Sequence, residues 1–99
     1  MLVIRVLARF DPKRRQEALD QLAREAVEVP DRFAGCQRFQ TFVDPADPDQ
    51  VLIYEEWADQ AAFDAYRGSD YFTEGGKVLF PAMAGAPDSA YYAAELVGP

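Results

Sequence analysis

The stretch that decides the fold is residues 51–72, with the sequence VLIYEEWADQAAFDAYRGSDYF. It opens as a strand that ends at Trp57, and Asp59 then provides an N-cap for a short helix that carries Phe63 and Tyr66. Ser69 can cap a further helical segment directly afterwards. An apolar strand that leads into an aromatic helix is typical of a lined ligand pocket and equally of an ordinary core.

The strand within this stretch has large side chains on both of its faces. Successive side chains of a strand point to opposite sides, so alternate residues share a face. One face carries Val51, Ile53, Glu55 and Trp57, and the other carries Leu52, Tyr54 and Glu56. This pattern predicts a central strand that is covered on both sides.

Working outward from this stretch, alternation, capping residues and turn residues predict the remaining elements. The first is a strand over residues 2–10, followed by a helix that begins at Asp11-Pro12, runs to about residue 29 and ends at Pro30-Asp31. A strand over 36–43 and a proline- and aspartate-rich loop over 44–49 come next. After the central stretch, a helical segment starts at Ser69 and is broken or shortened by Gly75-Gly76, and a final strand spans 88–97. The order β-α-β-β-α-(α)-β predicts an α+β, ferredoxin-like split βαβ fold. We expect a four-stranded antiparallel sheet with helices on one face, the first and third strands in its centre, and a single domain over residues 1–99.

One face of this sheet has no cover within the chain. If the helices pack on the face with Leu2, Ile4, Val6 and Phe10, then Val3 and Leu7 are left on the other side. Large exposed apolar patches are rare on soluble monomers, and packing two sheets about a two-fold axis would cover them. The pattern therefore predicts a homodimer through the sheet faces.

Composition excludes several classes of partner and chemistry. The 99 residues carry a net charge of −7, which argues against nucleic acid or an anionic membrane as a partner. No apolar run is long enough for a membrane span and no signal peptide is recognisable, so we expect a cytoplasmic protein. The absence of histidine excludes histidine-based nucleophile systems and histidine-ligated metal or haem. The aspartates of the 44–49 loop lack the spacing of an EF-hand, and we expect no metal site.

Four short motifs, in this order and spacing, resemble the antibiotic biosynthesis monooxygenase domains of the dimeric α+β barrel group. They are Phe33-Ala-Gly-Cys36, Tyr54-Glu-Glu-Trp57, Phe63-Asp-Ala-Tyr66 and Ser69-Asp-Tyr-Phe72. The resemblance covers nearly the whole chain and implies dimers that associate sheet to sheet. It also implies a ligand site between the helices and the sheet, beside Trp57.

The resemblance implies several possible activities. Such domains include cofactor-free oxygenases for anthrone-type aromatics, haem-degrading enzymes and a signalling-molecule isomerase. Many relatives have histidine where this chain has Tyr66, and haem-degrading ones have an axial histidine near Gly76, whereas this chain has none. This departure leaves cofactor-independent oxygenation of a small aromatic or quinone-like substrate, with no cofactor.

For that chemistry the resemblance suggests a set of site residues. Trp57 would form a wall and donate its N–H, Tyr66 would donate toward an enolate oxygen, and Arg38 would pair with an oxyanion, while Phe63 and Phe72 would contact the aromatic substrate. For each aromatic residue the alternative is a plain core position. A non-catalytic dimeric module that binds a small ligand, or nothing, is the competing function. A cavity of roughly 300 Å³ or more beside Trp57 and Tyr66 would favour a ligand site.

Glu55 has two interpretations of its own. A carboxylate on a central strand is costly unless it is paired, and Arg5 on the neighbouring strand is the expected partner in an ion pair at the dimer interface. The alternative is a general base with a raised pKa.

Overall fold

The four strands form one antiparallel sheet. In the computed structural model, which describes all 99 residues, the strands are β1 (Leu2–Arg9), β2 (Cys36–Asp44), β3 (Asp47–Trp57) and β4 (Asp88–Ala93). Their order across the sheet is β2-β3-β1-β4. The prediction that the first and third strands lie in the centre is therefore confirmed.

Three helices connect the strands: α1 (Arg15–Arg32), α2 (Gln60–Arg67) and α3 (Asp70–Ala82). The side chains of Asp59 and Ser69 accept the N–H groups of Ala62 and Phe72, so both predicted N-caps are present. The helices pack on one face of the sheet, which gives the predicted α+β, ferredoxin-like architecture. None of the three is both long and apolar enough to cross a membrane.

The core lies between the sheet and this helical layer. The buried residues of β1 and β3 are those predicted to share a face, and they meet the inner stripes of the helices. The largest fully buried side chains are Trp57, Phe10, Ile4, Leu22, Val29 and Val51. Burial of each aliphatic side chain of this size contributes roughly 1.5–3 kcal/mol.

The opposite face of the sheet has no cover within the chain. Leu52 on β3 lies between Leu7 of β1 and Phe42 of β2, and Val3 lies beside Tyr92 of β4. Phe42 and Tyr92 are each 50% exposed. The face that the sequence predicted to need a partner is therefore apolar and open, and β3 is covered by this chain on one side only.

Several predicted helix ends are wrong. Asp11 does not cap α1: it accepts the N–H of Lys13 in a turn, and the helix begins four residues later at Arg15. At the other end Pro30 lies inside the last turn, where its fixed φ is helical, so α1 continues to Arg32.

The hairpin and the last strand also differ from prediction. The turn between β2 and β3 spans only residues 45 and 46, because Asp44 pairs with Asp47. The last strand ends at Ala93, and the chain terminus at Met1 provides its last partner by exchanging hydrogen bonds with Ala94. Helix α3 runs without a break through Gly75 and Gly76, which lie at close contacts with other side chains.

A β-bulge in β2 changes which residues share a face. Cys36 pairs with Trp57 and Arg38 pairs with Glu56, so Gln37 is an extra residue in β2. As a result Cys36 and Phe39 face the helices, whereas Arg38 faces the open side. Strict alternation along residues 36–43 would place Cys36 and Arg38 on one face, and the bulge separates them.

Gly35 allows α2 to lie close to the start of β2. A Cβ atom on Gly35 would lie 2.3 Å from Cβ of Ala62, and the Gly35 carbonyl accepts the N–H of Ala58 at 2.8 Å. We predict that Gly35→Ala lowers the free energy of unfolding by about 1–3 kcal/mol, because the added methyl group forces two backbone segments apart. Urea denaturation measures this change.

The matched control is Gly68→Ala, whose Cβ would contact only the Asp64 carbonyl oxygen at 3.3 Å. We expect it to cost less than half as much. Equal denaturation midpoints for Gly35→Ala and the wild type would contradict the prediction.

Candidate functional site

A cavity of about 240 Å³ lies between the sheet and the helices. It is lined by 17 residues, of which 12 are hydrophobic, and its outer rim includes the exposed side chains of Phe80 and Tyr91. This volume is somewhat below the roughly 300 Å³ that would by itself favour a ligand site. The chemistry of the lining therefore carries more information than its size.

Two carboxyl groups reach this largely apolar cavity. Glu25 comes from α1 and Glu55 from β3, and they are only 4% and 6% exposed. Neither has a cationic partner within 4 Å. Buried carboxyl groups without a counter-ion are unusual, because desolvation disfavours the charged form.

The position of Glu55 follows from the strand register. Ile4 of β1 and Phe39 of β2 flank it, and both face the helices. The indole N–H of Trp57 donates to Oε1 of Glu55 at 2.9 Å. The pKa of Glu55 is raised to about 7: burial raises it most, the Trp57 hydrogen bond lowers it, and the charge of Glu25 raises it to a smaller extent. A carboxyl group with this pKa can accept a proton near neutral pH.

Glu25 was not among the predicted site residues. The amide of Gln21 donates to its Oε2 at 2.9 Å, and the Tyr66 hydroxyl donates to its Oε1 across 3.4 Å. Burial raises the pKa of Glu25 as well, against the lowering effect of these hydrogen bonds. The sequence contains a signal for this position, because Glu25 lies three residues after Leu22 and four before Val29, on the apolar stripe of α1.

Tyr66 lies in the cavity wall and is held by aromatic neighbours. Its ring stacks on Trp57 with centroids 5.1 Å apart, and Phe33 and Phe72 approach it edge-on, each at 5.2 Å. Burial and the nearby carboxyl groups Glu25 and Glu55 raise the pKa of Tyr66 above its ordinary value. The hydroxyl therefore stays protonated and can act as a hydrogen-bond donor.

Trp57 occupies a different place from the one predicted. It is fully buried behind Tyr66 and does not line the cavity, and its N–H is already bound to Glu55. The prediction that Trp57 forms a cavity wall and donates to a ligand is wrong. Its observed contact orients the Glu55 carboxyl group instead.

The other predicted ligand contacts divide into two groups. Phe63 and Phe72 line the cavity, and their role in binding stays a prediction. Arg38 does not, because the bulge places it on the open face of the sheet, where its Nε lies 3.5 Å from Oε1 of Glu56. The prediction that Arg38 pairs with an oxyanion in the cavity is therefore wrong.

The predicted ion pair between Arg5 and Glu55 is also wrong. In the β1–β3 register Arg5 lies opposite Tyr54, and Glu55 lies opposite Ile4. The two side chains therefore point to opposite faces of the sheet. Arg5 pairs with Asp88 at 3.8 Å on the open face, and Glu55 is buried on the helical side, away from any sheet-to-sheet contact.

No group of three or more potential metal ligands comes together in the structure. The lone cysteine, Cys36, is buried, and burial raises the pKa of its thiol to about 11. The groups that can transfer protons in the cavity are thus Glu25, Glu55 and Tyr66.

Comparison with known proteins agrees with the architecture. The family model described as antibiotic biosynthesis monooxygenase matches residues 1–77. A solved structure described as an antibiotic biosynthesis monooxygenase has 26% identity and a TM-score of 0.83, covering 97% of this chain and 100% of its own. A protein from Caulobacter crescentus with the same, provisional description has 25% identity and a TM-score of 0.88, covering 95% of this chain and 90% of its own.

A more distant structure shares the fold alone. The Deinococcus radiodurans protein has 16% identity and a TM-score of 0.87, covering 100% of this chain and 97% of its own. No curated protein sequence matches the chain.

The raised pKa of Glu55 predicts a dependence of stability on pH. Its value is about 7 in the folded state against an ordinary 4.5, so between these values the native state binds more protons than the unfolded state. This contribution to the free energy of unfolding is complete below about pH 4.5 and is lost as pH rises through about 7. We expect wild type to lose up to about 3 kcal/mol relative to Glu55→Gln over this range.

Urea denaturation at a series of pH values measures the difference. The exposed Glu74→Gln is the control, and its curve should run parallel to that of the wild type. Parallel curves for Glu55→Gln and wild type would show that the carboxyl group titrates normally. The pKa of Glu25 is also raised, so Glu25 contributes to the pH dependence of stability with the same sign. Glu25 is present in both the wild type and Glu55→Gln, so the difference between their curves reports on Glu55.

Proposed function

The chain belongs to the antibiotic biosynthesis monooxygenase family, and on that premise we propose that it is a cofactor-independent monooxygenase for a small aromatic or quinone-like substrate. The observation that carries this proposal is the Glu55 carboxyl group, which faces an apolar cavity with a pKa of about 7. A base of this pKa in a dry site suits removal of a proton from an activated C–H or O–H bond.

In the first step, Glu55 takes the proton of an activated methylene group next to a carbonyl. The C–H bond breaks, and its electron pair moves into the ring system as an enolate. The protonated Tyr66 hydroxyl lies in the same wall and donates a hydrogen bond to the enolate oxygen, where the negative charge develops. The rings of Phe63 and Phe72 hold the substrate and exclude water.

In the second step, the enolate reduces dioxygen, which is the co-substrate. One electron passes to O₂, and the resulting radical pair forms a C–O bond, which leaves a substrate peroxide anion. The peroxide is protonated, the remaining C–H bond and the O–O bond break, and water leaves. In total, a CH₂ group and O₂ become a C=O group and H₂O, so atoms and electrons balance.

Trp57 contributes to this reaction through Glu55. Its N–H bond to Oε1 fixes the carboxyl group and lowers its pKa, which keeps a fraction ionised near neutral pH. A non-catalytic module of the same fold would gain nothing from burying Glu55 without a cation, and a hydrophobic residue there would cost less.

Turnover is the direct test. We predict that anthrones or hydroquinones cause oxygen uptake that depends on the protein. Glu55→Gln should lower kcat by about 10²–10⁴-fold, because it removes the base. In the wild type kcat/KM should rise with pH through about 7, since Glu55 must be ionised.

Two further variants locate the effect. Tyr66→Phe should lower kcat by about 10²-fold through loss of the enolate hydrogen bond, and Glu74→Gln, on the exposed side of α3, should change nothing. Failure of the wild type to consume oxygen with any such substrate would rule out the proposed oxygenase function.

We further propose that the protein is a homodimer that associates through its open sheet faces. What supports this is the row of Leu7, Leu52 and Phe42, which runs across the centre of an uncovered face. Covering apolar surface of this kind by a second copy stabilises the pair by roughly 25 cal/mol per Å². Arg5 lies on the same face, so its predicted place in the interface stays open.

The dimer has its own test. We predict that Leu52→Asp shifts the protein from dimer to monomer, because it places a carboxylate in the middle of the apolar row. Val27→Asp is the control: Val27 is 73% exposed on α1, and its replacement should leave the dimer intact. Light scattering coupled to size exclusion measures both, and a monomeric wild type would contradict the proposal.

A further inference from the structure

The second carboxyl group of the cavity has no part in the reaction outlined above. Glu25 enters from the helical layer while Glu55 enters from the sheet, and both line the same space. Glu25 is as deeply buried as the core, although helix α1 has exposed positions on its outer side that would suit a glutamate. A buried acid in contact with a cavity calls for a reason beyond packing.

A chain of hydrogen bonds holds Glu25 in place. Arg24 donates from the surface to Oε1 of Gln21 at 2.5 Å, and Nε2 of Gln21 donates to Oε2 of Glu25 at 2.9 Å. Oε1, the other oxygen of Glu25, is the one that the Tyr66 hydroxyl approaches. Oε2 of Glu25 is thus anchored by Gln21, and Oε1 faces the Tyr66 hydroxyl, which we propose as the hydrogen-bond donor to the substrate.

Gly75 of α3 makes the room that this arrangement needs. A Cβ atom at Gly75 would lie 2.9 Å from Oε2 of Glu25 and 3.4 Å from Nε2 of Gln21. Any side chain there would press on the anchored end of the carboxyl group. The adjacent Gly76 differs, because its Cβ would meet only the ring of the exposed Phe80, at 2.6 Å.

We propose that Glu25 supplies, through the Tyr66 hydroxyl, the proton that the substrate peroxide takes up, and that Glu25 and Glu55 hold one proton between them. This inference rests on the proposed oxygenase function. Glu25 acts through Tyr66, so it is a positioning and proton-supplying residue and does not need to touch the substrate.

The protons balance over one cycle. In the reactive state Glu55 is ionised, and protonated Glu25 donates its O–H to the Tyr66 oxygen. This reverses the hydrogen bond seen in the structure, where the Tyr66 hydroxyl donates to Oε1 of Glu25, and it leaves the Tyr66 O–H free for the substrate. Glu55 accepts the substrate proton; later the Tyr66 O–H proton passes to the peroxide anion and the Glu25 proton passes to the Tyr66 oxygen. Loss of water from the hydroperoxide changes neither group, and release of the proton from Glu55 with uptake of one proton by Glu25 restores the first state.

The electrostatics of the cavity favour a single shared proton. Two carboxylates in one dry site repel each other, so the ionisation of one holds the other in its protonated form. The charged and titratable groups that act on Glu25 or share its cavity are Arg24 and Glu28 on α1, Glu55 on β3, Tyr66 and Arg67 on α2, Tyr71 on α3 and Tyr91 on β4. Only Arg24 favours the ionised form of Glu25 by its charge, and burial outweighs it.

A titration tests the shared proton without any substrate. We expect ¹³C NMR of the glutamate carboxyl carbons to show that Glu55 titrates at a lower pH in Glu25→Gln than in the wild type. The variant lacks the state in which Glu25 is ionised and Glu55 holds the shared proton, and in that state the charge of Glu25 raises the pKa of Glu55. If the titration curve of Glu55 is the same in Glu25→Gln and the wild type, the inference is wrong, even if the protein turns over substrate.

Kinetics test the donor role. The wild-type kcat/KM should fall at alkaline pH, where the pair has lost its proton, as well as at acid pH. Glu25→Gln keeps the size but cannot supply a proton: kcat should fall by about 100-fold with KM little changed, and the alkaline limb should disappear. An undiminished kcat in this variant would overturn the donor role.

Two glycine variants separate position from stability. Gly75→Ala presses on Glu25, whereas Gly68→Ala lies outside the cavity lining and meets only the Asp64 carbonyl oxygen. We expect Gly75→Ala to lower kcat by about 10-fold and to shift the alkaline limb, and Gly68→Ala to retain both; equal effects on kcat would contradict the role of Glu25. If the wild type shows no turnover while Glu25 and Glu55 still titrate as a coupled pair, the proposed oxygenase function and the proton-donor role of Glu25 are both wrong, and the shared proton stands.

Discussion

The antiparallel register between β1 and β3 is the constraint on which the rest of the molecule depends. It places Ile4 opposite Glu55 and Arg5 opposite Tyr54. A slip by one residue would move every side chain of a strand to the other face. The hydrophobic effect holds this register, since a slip of β1 would expose Ile4 and a slip of β3 would expose Val51 and Trp57.

The same register places an acid in the core, which a sequence optimised only for stability would avoid. Glu55 and Glu25 meet in a cavity where the Trp57 indole, the Gln21 amide and the Tyr66 hydroxyl satisfy part of their hydrogen-bonding capacity. No buried polar side-chain atom is left without a partner. Proteins often place polar residues in the core at functional sites and recover the lost stability elsewhere. Here the buried aromatic and aliphatic residues around the two carboxyl groups provide that stability.

The elements were predictable because their signals are local. Alternation over two strands, and the caps Asp59 and Ser69, depend on neighbouring residues and survive folding unchanged. Predictions failed where the conformation of a segment depends on its contacts with other parts of the chain. The glycines of α3 do not break it, because they pack against Glu25 and Phe80, and Arg38 lies on the open face because a bulge at Gln37 resets the alternation.

The sequence by itself determined the order of elements, the α+β fold, the central place of β1 and β3, and the apolar face that the chain leaves uncovered. It also singled out Tyr66, Phe63 and Phe72, because aromatic residues on an inner helical stripe can face little else. Only the tertiary structure decided that Trp57 serves Glu55 and that Glu25 joins it. Trp57 and Glu55 are only two residues apart on β3, but their side chains meet because packing buries that face of the strand and leaves Glu55 without a cation. Glu25 reaches the same cavity from a distant part of the chain, and no local pattern encodes that approach.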